Sequence, residues 1–288
     1  MGEVFLAEDT RLRRRVALKV LPENIAADAD RLLRFEREAF AASALNHPNI
    51  LTIFEFGAED QTHFLASEFV DGESLRERMS RTTMTVTTTL EIAIQIASAL
   101  QAAHDAGIIH RDIKPDNVIL QPDGGLKLID LGVARLPHLE DAPAVAAAGT
   151  PSYMAPELIA GDDGDERSDL FALGVTIYRM FARAYPYGEV EPFSHPHFTR
   201  PVSLTGLRPD LPIWLDQVLA RAFAVRREER FEDVLEFIFE LEHGADRTRA
   251  GPDRRQPLYH RNPLRFWQIV SAILATLLAV ALARLARH

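Results

Sequence analysis

One short segment of this 288-residue chain contains several residues that could carry out chemistry. Residues 110–117 read HRDIKPDN, and a second acidic residue follows in the triplet DLG at 130–132. The two segments supply a carboxylate base, a cation and two oxygen ligands for a hard metal ion, which are Asp112, Lys114, Asn117 and Asp130. Phosphoryl transfer requires this inventory, because the protein must mainly hold a nucleotide, neutralise its charge and aim a hydroxyl group.

The bulk composition limits the classes of protein that the chain can belong to. It is 47% hydrophobic and 26% charged, which is typical of a folded domain with a buried core. The formal net charge of −10 disfavours a nucleic-acid binder, which would need a basic face. Because the chain has no cysteine, it can form neither a disulfide framework nor a thiolate metal site.

The elements that must position these residues change in type along the chain. Apolar and β-branched runs predict strands early, whereas helical spacing of apolar residues dominates later. The early elements are strands at 4–7, 16–21, 50–56 and 63–70, the last two separated by a turn at 57–60, and a helix at 30–45. The later ones are helices at 90–104, 168–181, 214–225 and 231–241, with short strands at 118–120 and 126–129. This order predicts two lobes with a cleft between them.

The C-terminal part of the chain predicts a linker and a membrane helix. Residues 244–263 are polar, rich in arginine and contain three prolines, which is typical of a linker. Residues 266–283 then include no charge over 18 positions, close to the roughly 20 that cross a membrane. Arginines flank the run and Trp267 lies at its edge, so we expect a transmembrane helix at 264–285. The alternative is an alanine-rich core or amphipathic helix.

Five motifs in a fixed order resemble those of the eukaryotic-type protein kinase family, in its bacterial Ser/Thr branch. They are VALK ending at Lys19, HRDIKPDN, DLG, GTPSYMAPE at 149–157 and SDLFALG at 168–174. The resemblance covers about residues 2–241. It implies an α+β fold with a small β-rich N-lobe lacking its first strand and a large helical C-lobe. The kinase domain would then occupy residues 1–243.

The resemblance implies a role for each residue that would touch phosphate or metal. Lys19 would hold the α- and β-phosphates of ATP, and Glu38 would pair with Lys19. Glu36 competes for that pairing, but only Glu38 gives the family's spacing of 19 residues. In the catalytic loop, Asp112 would orient the incoming hydroxyl group and Lys114 would neutralise the transferred phosphoryl group. Asn117 and Asp130 would hold Mg²⁺.

The same matching implies an adenine pocket and an anchor for the activation segment. The pocket would have a roof, a floor, a gatekeeper and two hinge residues that offer backbone groups. Val4 and Ala17 would form the roof and Ile119 the floor. Ser67 would be the gatekeeper, and Glu68 and Val70 would be the hinge residues. Glu157 resembles the residue that pairs with a late arginine, here Arg230, and the GTPSYMAPE segment resembles a peptide-docking platform. Lys114, placed two residues after Asp112, and Thr150 resemble Ser/Thr rather than Tyr kinases.

These implications define the expected partners. The chain would transfer the γ-phosphoryl group of ATP to Ser or Thr of protein substrates, with Mg²⁺ and without nucleic acid. The membrane helix would tether it to the inner membrane with the kinase domain in the cytoplasm. Residues 185–193 and 257–267 also look similar to the kinase half of bacterial kinase/phosphatase fusions.

The chain departs from the family pattern at its start. The family's loop G-x-G-x-x-G-x-V covers the ATP phosphates, but residues 1–4, MGEV, match only its end. Either Met1 is an internal residue of a longer protein, or the truncation is real and leaves a weak kinase or a nucleotide-binding scaffold resembling a pseudokinase. We favour the first, because no catalytic residue further along is degraded. Homodimer formation and an N-terminal domain that precedes this chain stay open.

Overall fold

The computed structural model describes residues 3–22, 26–59, 62–131, 151–190 and 197–250. The chain divides into two compact units, residues 1–244 and residues 245–288. In the second unit the described residues are 245–250, the end of a helix. The predicted membrane helix at 264–285 and the linker beyond residue 250 lie outside the described residues. Within the described ranges, no helix is both long and apolar enough to cross a membrane.

The N-terminal part of the first unit is an antiparallel sheet with one helix packed against it. Its strands lie in the order β1-β2-β4-β3. The elements are β1 (Val4–Asp9), β2 (Arg14–Val20), α1 (Ala29–Ser43), β3 (Ile53–Glu59) and β4 (Thr62–Glu68). Phe35, Ala39 and Ala42 are buried along one face of α1, and Phe35 packs on Phe56 of β3 with ring centroids 5.7 Å apart. Apolar residues spaced by three or four positions therefore attach the helix to the sheet.

The remainder of the first unit is mainly helical and also holds a small three-stranded sheet, β5-β6-β7. The strands are β5 (Glu73–Ser74), β6 (Val118–Leu120) and β7 (Leu126–Leu128). The helices are α2 (Leu75–Arg81), α3 (Val86–Asp105), α4 (Pro156–Ile159), α5 (Glu166–Ala182), α6 (Leu204–Leu207), α7 (Ile213–Ala222) and α8 (Val234–Ala250). The expected division into a β-rich lobe and a helical lobe is confirmed.

Helix α5 forms the centre of the helical lobe. Its side chains are buried on all sides, including Leu170, Phe171 and Ile177, each with 0% exposure. A helix that is apolar all round must lie inside the protein, and α5 packs between α3 and α7. Asp165 caps its first turn by accepting hydrogen bonds from the backbone of Arg167 and Ser168. The central helix therefore begins at a defined residue.

Two glycines lie inside elements where the sequence predicts a boundary. The predicted turn at 57–60 begins too early, because Gly57 lies inside β3 opposite Phe64. A β-carbon at Gly57 would approach the Phe64 ring to 2.6 Å, so this glycine permits a close side-chain contact and does not end the strand. Helix α8 continues through Gly244 to Ala250, so the first residues of the predicted linker are helical.

A tight contact at Gly72 gives a test of the second sheet. A β-carbon there would lie 2.2 Å from the carbonyl oxygen of Leu120, which β5 holds through its pairing with Glu73. We expect Gly72→Ala to lower the free energy of unfolding by about 1–3 kcal/mol, as overpacking does. Gly206→Ala is the matched control, since its β-carbon would meet no atom nearer than 3.8 Å. Equal urea midpoints for the two variants would contradict this contact.

Candidate active site

A buried carboxylate holds the catalytic loop in place. Asp169 of α5 has 0% exposure, and its Oδ2 and Oδ1 accept hydrogen bonds from the backbone nitrogens of His110 and Arg111 at 2.8 and 2.7 Å. His104 of α3 donates to the same carboxylate through Nε2 at 2.9 Å. Arg111 has a φ of 64°, a left-handed conformation that costs energy for a residue with a side chain. The three hydrogen bonds therefore stabilise a strained backbone immediately before Asp112.

Two polar side chains of the loop, those of Lys114 and Asn117, converge on the carboxylate of Asp112. Lys114 Nζ lies 2.6 Å from Asp112 Oδ2, and Asn117 Nδ2 lies 3.0 Å from the same oxygen. Asn117 also donates to the backbone oxygen of Asp112 at 2.7 Å. Because the amide nitrogen of Asn117 faces Asp112, its carbonyl oxygen points elsewhere and can serve as a metal ligand. The structure thus brings together the base, the cation and one predicted metal ligand.

The second predicted metal ligand lies opposite the N-terminal sheet. Asp130 follows β7, and its Oδ1 forms an ion pair with Lys19 of β2 at 2.5 Å. This ion pair joins the two lobes across the cleft. The pairing of Lys19 with Glu38 of α1 stays a prediction, since the ion pair described for Lys19 is the one with Asp130.

The donor set fits a magnesium ion bound together with a nucleotide. Mg²⁺ is usually held by one or two carboxylates plus phosphate oxygens and water, and Asp130 with Asn117 supplies that protein share. Among the described residues, no group of three or more His, Cys, Asp or Glu side chains could hold a metal ion. Asp130 and Asn117 would thus supply part of the coordination shell of a bound cation.

The predicted roof of the adenine pocket lies on the face of the sheet that looks into the cleft. Ala17 and Lys19 are two residues apart on β2 and so share a face. Val4 lies opposite Lys19, and Ser67 lies opposite Ala17, so they belong to the same face. Because Lys19 reaches Asp130, this is the face that lies above the catalytic loop. Ile119, the predicted floor, is half-buried on β6 between two buried neighbours.

The hinge segment has a side-chain contact that the sequence did not indicate. Glu68 ends β4, and its Oε1 lies 2.7 Å from Lys127 Nζ of β7 and accepts from the backbone nitrogen of Thr52 at 2.7 Å. These contacts hold the side chain of Glu68, for which the sequence predicted a role of the backbone groups. Val70, the second predicted hinge residue, is half-buried two positions later.

The sequence does not indicate that Asp169 holds the catalytic loop. The motif SDLFALG was recognised, but no chemistry was assigned to its carboxylate, and no sequence signal linked His104 to it. The contact joins residues that are 65 positions apart, so only the packing of α3 against α5 reveals it.

A buried ion pair anchors the segment that ends in Glu157. Arg230 Nη1 and Nη2 contact Glu157 Oε1 and Oε2 at 2.6 and 2.8 Å, with side-chain exposures of 0% and 9%. Arg230 also donates to three backbone carbonyl oxygens, and Ser168 donates to Glu157 at 2.7 Å. Burial raises the pKa of Glu157, but the hydrogen bonds from Arg230 and Ser168 outweigh it, so the pKa lies below its usual value.

This lowered pKa predicts how stability depends on pH. Because Glu157 has a lower pKa in the folded state, its contribution is present above the usual value of 4.5 and is lost as the pH falls through the folded pKa. We expect Glu157→Gln to lower the free energy of unfolding by about 3 kcal/mol near neutral pH, since Arg230 stays buried without its counter-charge. Urea denaturation across the acid range should show this deficit shrinking.

Exposed Glu228→Gln is the matched control for this measurement and should follow the wild type at every pH. A deficit for Glu157→Gln that is constant from neutral to acid pH would contradict the assignment of the lowered pKa.

The fold and the site define a class of protein. A β-rich lobe and a helical lobe meet at a cleft that contains a lysine, two candidate metal ligands and a carboxylate held by a lysine and an asparagine. This is the machinery of a protein kinase. Comparison with known proteins then identifies the family.

The model of the protein kinase domain family matches residues 1–216. The serine/threonine-protein kinase pkn3 of Myxococcus xanthus is 37% identical over 269 residues, which are 88% of this chain and 49% of that protein. PknB of Mycobacterium tuberculosis is 34% identical over 254 residues, which are 84% of this chain and 40% of that protein. The crystal structure of the M. tuberculosis PknI kinase domain has a TM-score of 0.71 and 36% identity, covering 85% of this chain and 91% of that one.

The chain belongs to the protein kinase family, and the resemblance to bacterial Ser/Thr kinases is confirmed. It spans about half the length, or less, of the curated relatives cited above.

Proposed function

We propose that this chain is a protein Ser/Thr kinase that transfers the γ-phosphoryl group of ATP to hydroxyl groups of protein substrates. The observation that carries the proposal is the placement of Asp112, whose Oδ2 is held by Lys114 at 2.6 Å and by Asn117 at 3.0 Å. A carboxylate fixed in this way beside a metal-ligand position can orient a hydroxyl group for transfer.

In the proposed reaction the substrate hydroxyl oxygen attacks the γ-phosphorus of ATP. The bond between that phosphorus and the bridging oxygen breaks, and ADP leaves with the electron pair. Asp112 accepts the hydroxyl proton. Lys114 is only 4% exposed and lies against Asp112, so its ammonium group can neutralise the phosphoryl oxygens where charge accumulates.

The remaining polar residues would hold the nucleotide. Lys19 projects from the cleft face of the sheet and supplies a point charge for the α- and β-phosphates. Asp130 and the carbonyl oxygen of Asn117 would hold Mg²⁺, which when bound neutralises the phosphates and orients the γ-phosphoryl group. Val4, Ala17 and Ile119 offer small or apolar walls to a purine, and the hinge offers backbone groups.

A nucleotide-binding scaffold without transferase activity is the weaker alternative. It was suggested by the incomplete glycine-rich loop at residues 1–4. The structure favours the enzyme, because the base, the lysines and the metal ligands are all kept and converge in one cleft.

A matched set of substitutions tests the proposal. We expect Asp112→Asn to lower kcat by about a hundredfold or more, because it removes the proton acceptor but keeps the side-chain shape. Asp130→Asn should cause a similar loss that excess Mg²⁺ partly restores. The control is Asp210→Asn, an exposed carboxylate remote in sequence from the loop. The measurement is transfer of labelled phosphate from ATP to one acidic and one basic generic protein. ATP binding with equal inactivity of wild type and Asp112→Asn would favour the scaffold.

We further propose that the apolar run at 266–283 tethers the kinase to the inner membrane, with the kinase domain in the cytoplasm where ATP is available. The length of the run, its flanking arginines and Trp267 support this reading. Homodimer formation in the bilayer and an N-terminal domain are compatible with it.

Arginine substitutions test the membrane proposal. Arginine costs roughly 2.5–3.5 kcal/mol at the centre of a membrane helix, so Leu277→Arg with Leu278→Arg should release the full chain from membranes. Leu285→Arg, at the edge of the predicted span, is the control and should keep the chain bound, because its side chain can reach the headgroups. The measurement is the membrane-bound fraction after an alkaline wash. Equal retention of both variants would contradict the proposal.

A further inference from the structure

An arginine near the end of α5 lies beside two tyrosine rings that pack on each other. The guanidinium carbon of Arg179 is 4.5 Å from the ring centroid of Tyr185 and 5.6 Å from that of Tyr153. Arg179 Nη1 donates a hydrogen bond to the hydroxyl oxygen of Tyr153. The two rings pack edge to face with centroids 5.3 Å apart, and both are buried. Tyr153, Arg179 and Tyr185 are called the tyrosine–arginine cluster below.

The charge of the cluster is not balanced within the part of the chain that the structure describes. No carboxylate there forms an ion pair with Arg179, although the buried or partly buried Lys114, Arg227 and Arg230 of the helical lobe each have one. Burial raises the pKa of the Tyr153 phenol, so Tyr153 stays neutral and provides no counter-charge. Arg179 itself is only half-buried, so its guanidinium can still meet a ligand from solution.

The cluster lies beside the catalytic loop. Asp116 belongs to that loop, one residue before Asn117, and it pairs with Arg76 of α2 at 2.8 Å. The hydrogen bond with Asp116 raises the pKa of Arg76, and the phenols of Tyr153 and Tyr185 act in the same direction. Arg76 is therefore within electrostatic range of the same two rings as Arg179. Arg76 is paired with Asp116, whereas Arg179 forms no ion pair with a carboxylate of the described residues, so the charge of Arg179 is available to a ligand near the proposed site of transfer.

The cluster also belongs to the segment expected to meet the substrate. Tyr153 lies within residues 149–157, and the ion pair between Glu157 and Arg230 anchors the end of that segment to the helical lobe. Arg179 projects from α5, the most buried helix of that lobe. A rigid helix and an anchored segment therefore hold the guanidinium in a fixed position, and a ligand that binds it loses little entropy to ordering the protein.

We propose that Arg179 is a specificity-determining residue that binds a carboxylate side chain of the protein substrate, so that this kinase selects Ser or Thr close to an Asp or Glu. The inference rests on the proposed kinase function and deepens it. Arginine suits this role because its planar fork can donate two hydrogen bonds to a carboxylate while its face remains stacked on Tyr185. Arg76 adds attraction for the substrate carboxylate at longer range. Because the whole chain has a net charge of −10, an acidic substrate is attracted to this cationic position and repelled by most of the remaining surface.

The test measures kcat/KM of the full chain on synthetic peptides with one Thr in a neutral background. Gln, Glu or Lys is placed in turn at each position on either side of the Thr. We expect Glu at one position, or at two adjacent positions, to raise kcat/KM about tenfold over Gln, which corresponds to one charge-assisted hydrogen bond in a partly screened site. Added salt should reduce this ratio.

Charge-reversed and conservative variants assign the preference to Arg179. At the responsive position, Arg179→Glu should make Lys the preferred residue, Arg179→Gln should bring the Glu/Gln ratio close to one, and Arg179→Lys should keep part of it. Because both rates in a ratio are measured on the same protein preparation, an unfolded fraction lowers both equally and leaves the ratio unchanged. Arg226→Glu is the matched control for net charge, since Arg226 is 72% exposed, and it should keep the wild-type ratio.

The outcomes separate this inference from the proposed function. Equal rates for Gln and Glu at every position, with measurable transfer to the neutral peptide, would overturn the role of Arg179 and leave the kinase function intact. A Glu preference that survives in both Arg179→Glu and Arg179→Gln would overturn it as well. Absence of transfer to any peptide or generic protein would refute the proposed function and this inference with it.

Discussion

The geometry of the cleft depends on one buried carboxylate, that of Asp169. A fully buried charge is tolerated only when hydrogen bonds replace its hydration, and Asp169 obtains them from His104 and from the backbone of His110 and Arg111. Because the carboxylate cannot be released without a large penalty, the strained backbone at Arg111 is held in place. The position of Asp112 therefore follows from the core of the helical lobe.

Helix α5 also positions parts of the site that lie outside the catalytic loop. Its apolar side chains form the core, while its polar residues each fix a different part of the site. Ser168 contacts Glu157, Asp169 holds the loop, and Arg179 stacks on Tyr185 and donates to the hydroxyl group of Tyr153. One buried helix thus positions the base, the anchored segment and the cluster proposed to contact substrate. A site built on such an element keeps its geometry more closely than one built on loops.

The contact between the lobes has a different character. Lys19 and Asp130 are 22% and 29% exposed in their side chains, so their ion pair is partly screened by water. Such a pair can exchange partners at low cost, which suits the proposed binding of a phosphate group between Lys19 and a metal ion at Asp130. The catalytic loop is held rigidly by Asp169, as the orientation of a hydroxyl group requires. The ion pair between Lys19 and Asp130 can exchange partners, as nucleotide turnover requires.

Sequence motifs were enough to predict the reaction class, the two-lobed fold and the residues of the catalytic loop, because motifs such as HRDIKPDN keep their chemistry within a few adjacent positions. Periodicity located most helices and strands. The boundaries predicted at Gly57 and Gly244 were wrong, because a glycine needed for close packing cannot be told by sequence from one that ends an element. Tertiary packing sets the contacts of Asp169 with His104, of Glu68 with Lys127 and of Arg179 with Tyr153, which the sequence does not indicate. Each of these pairs joins residues far apart in the chain, and their meeting depends on how the helices and strands pack.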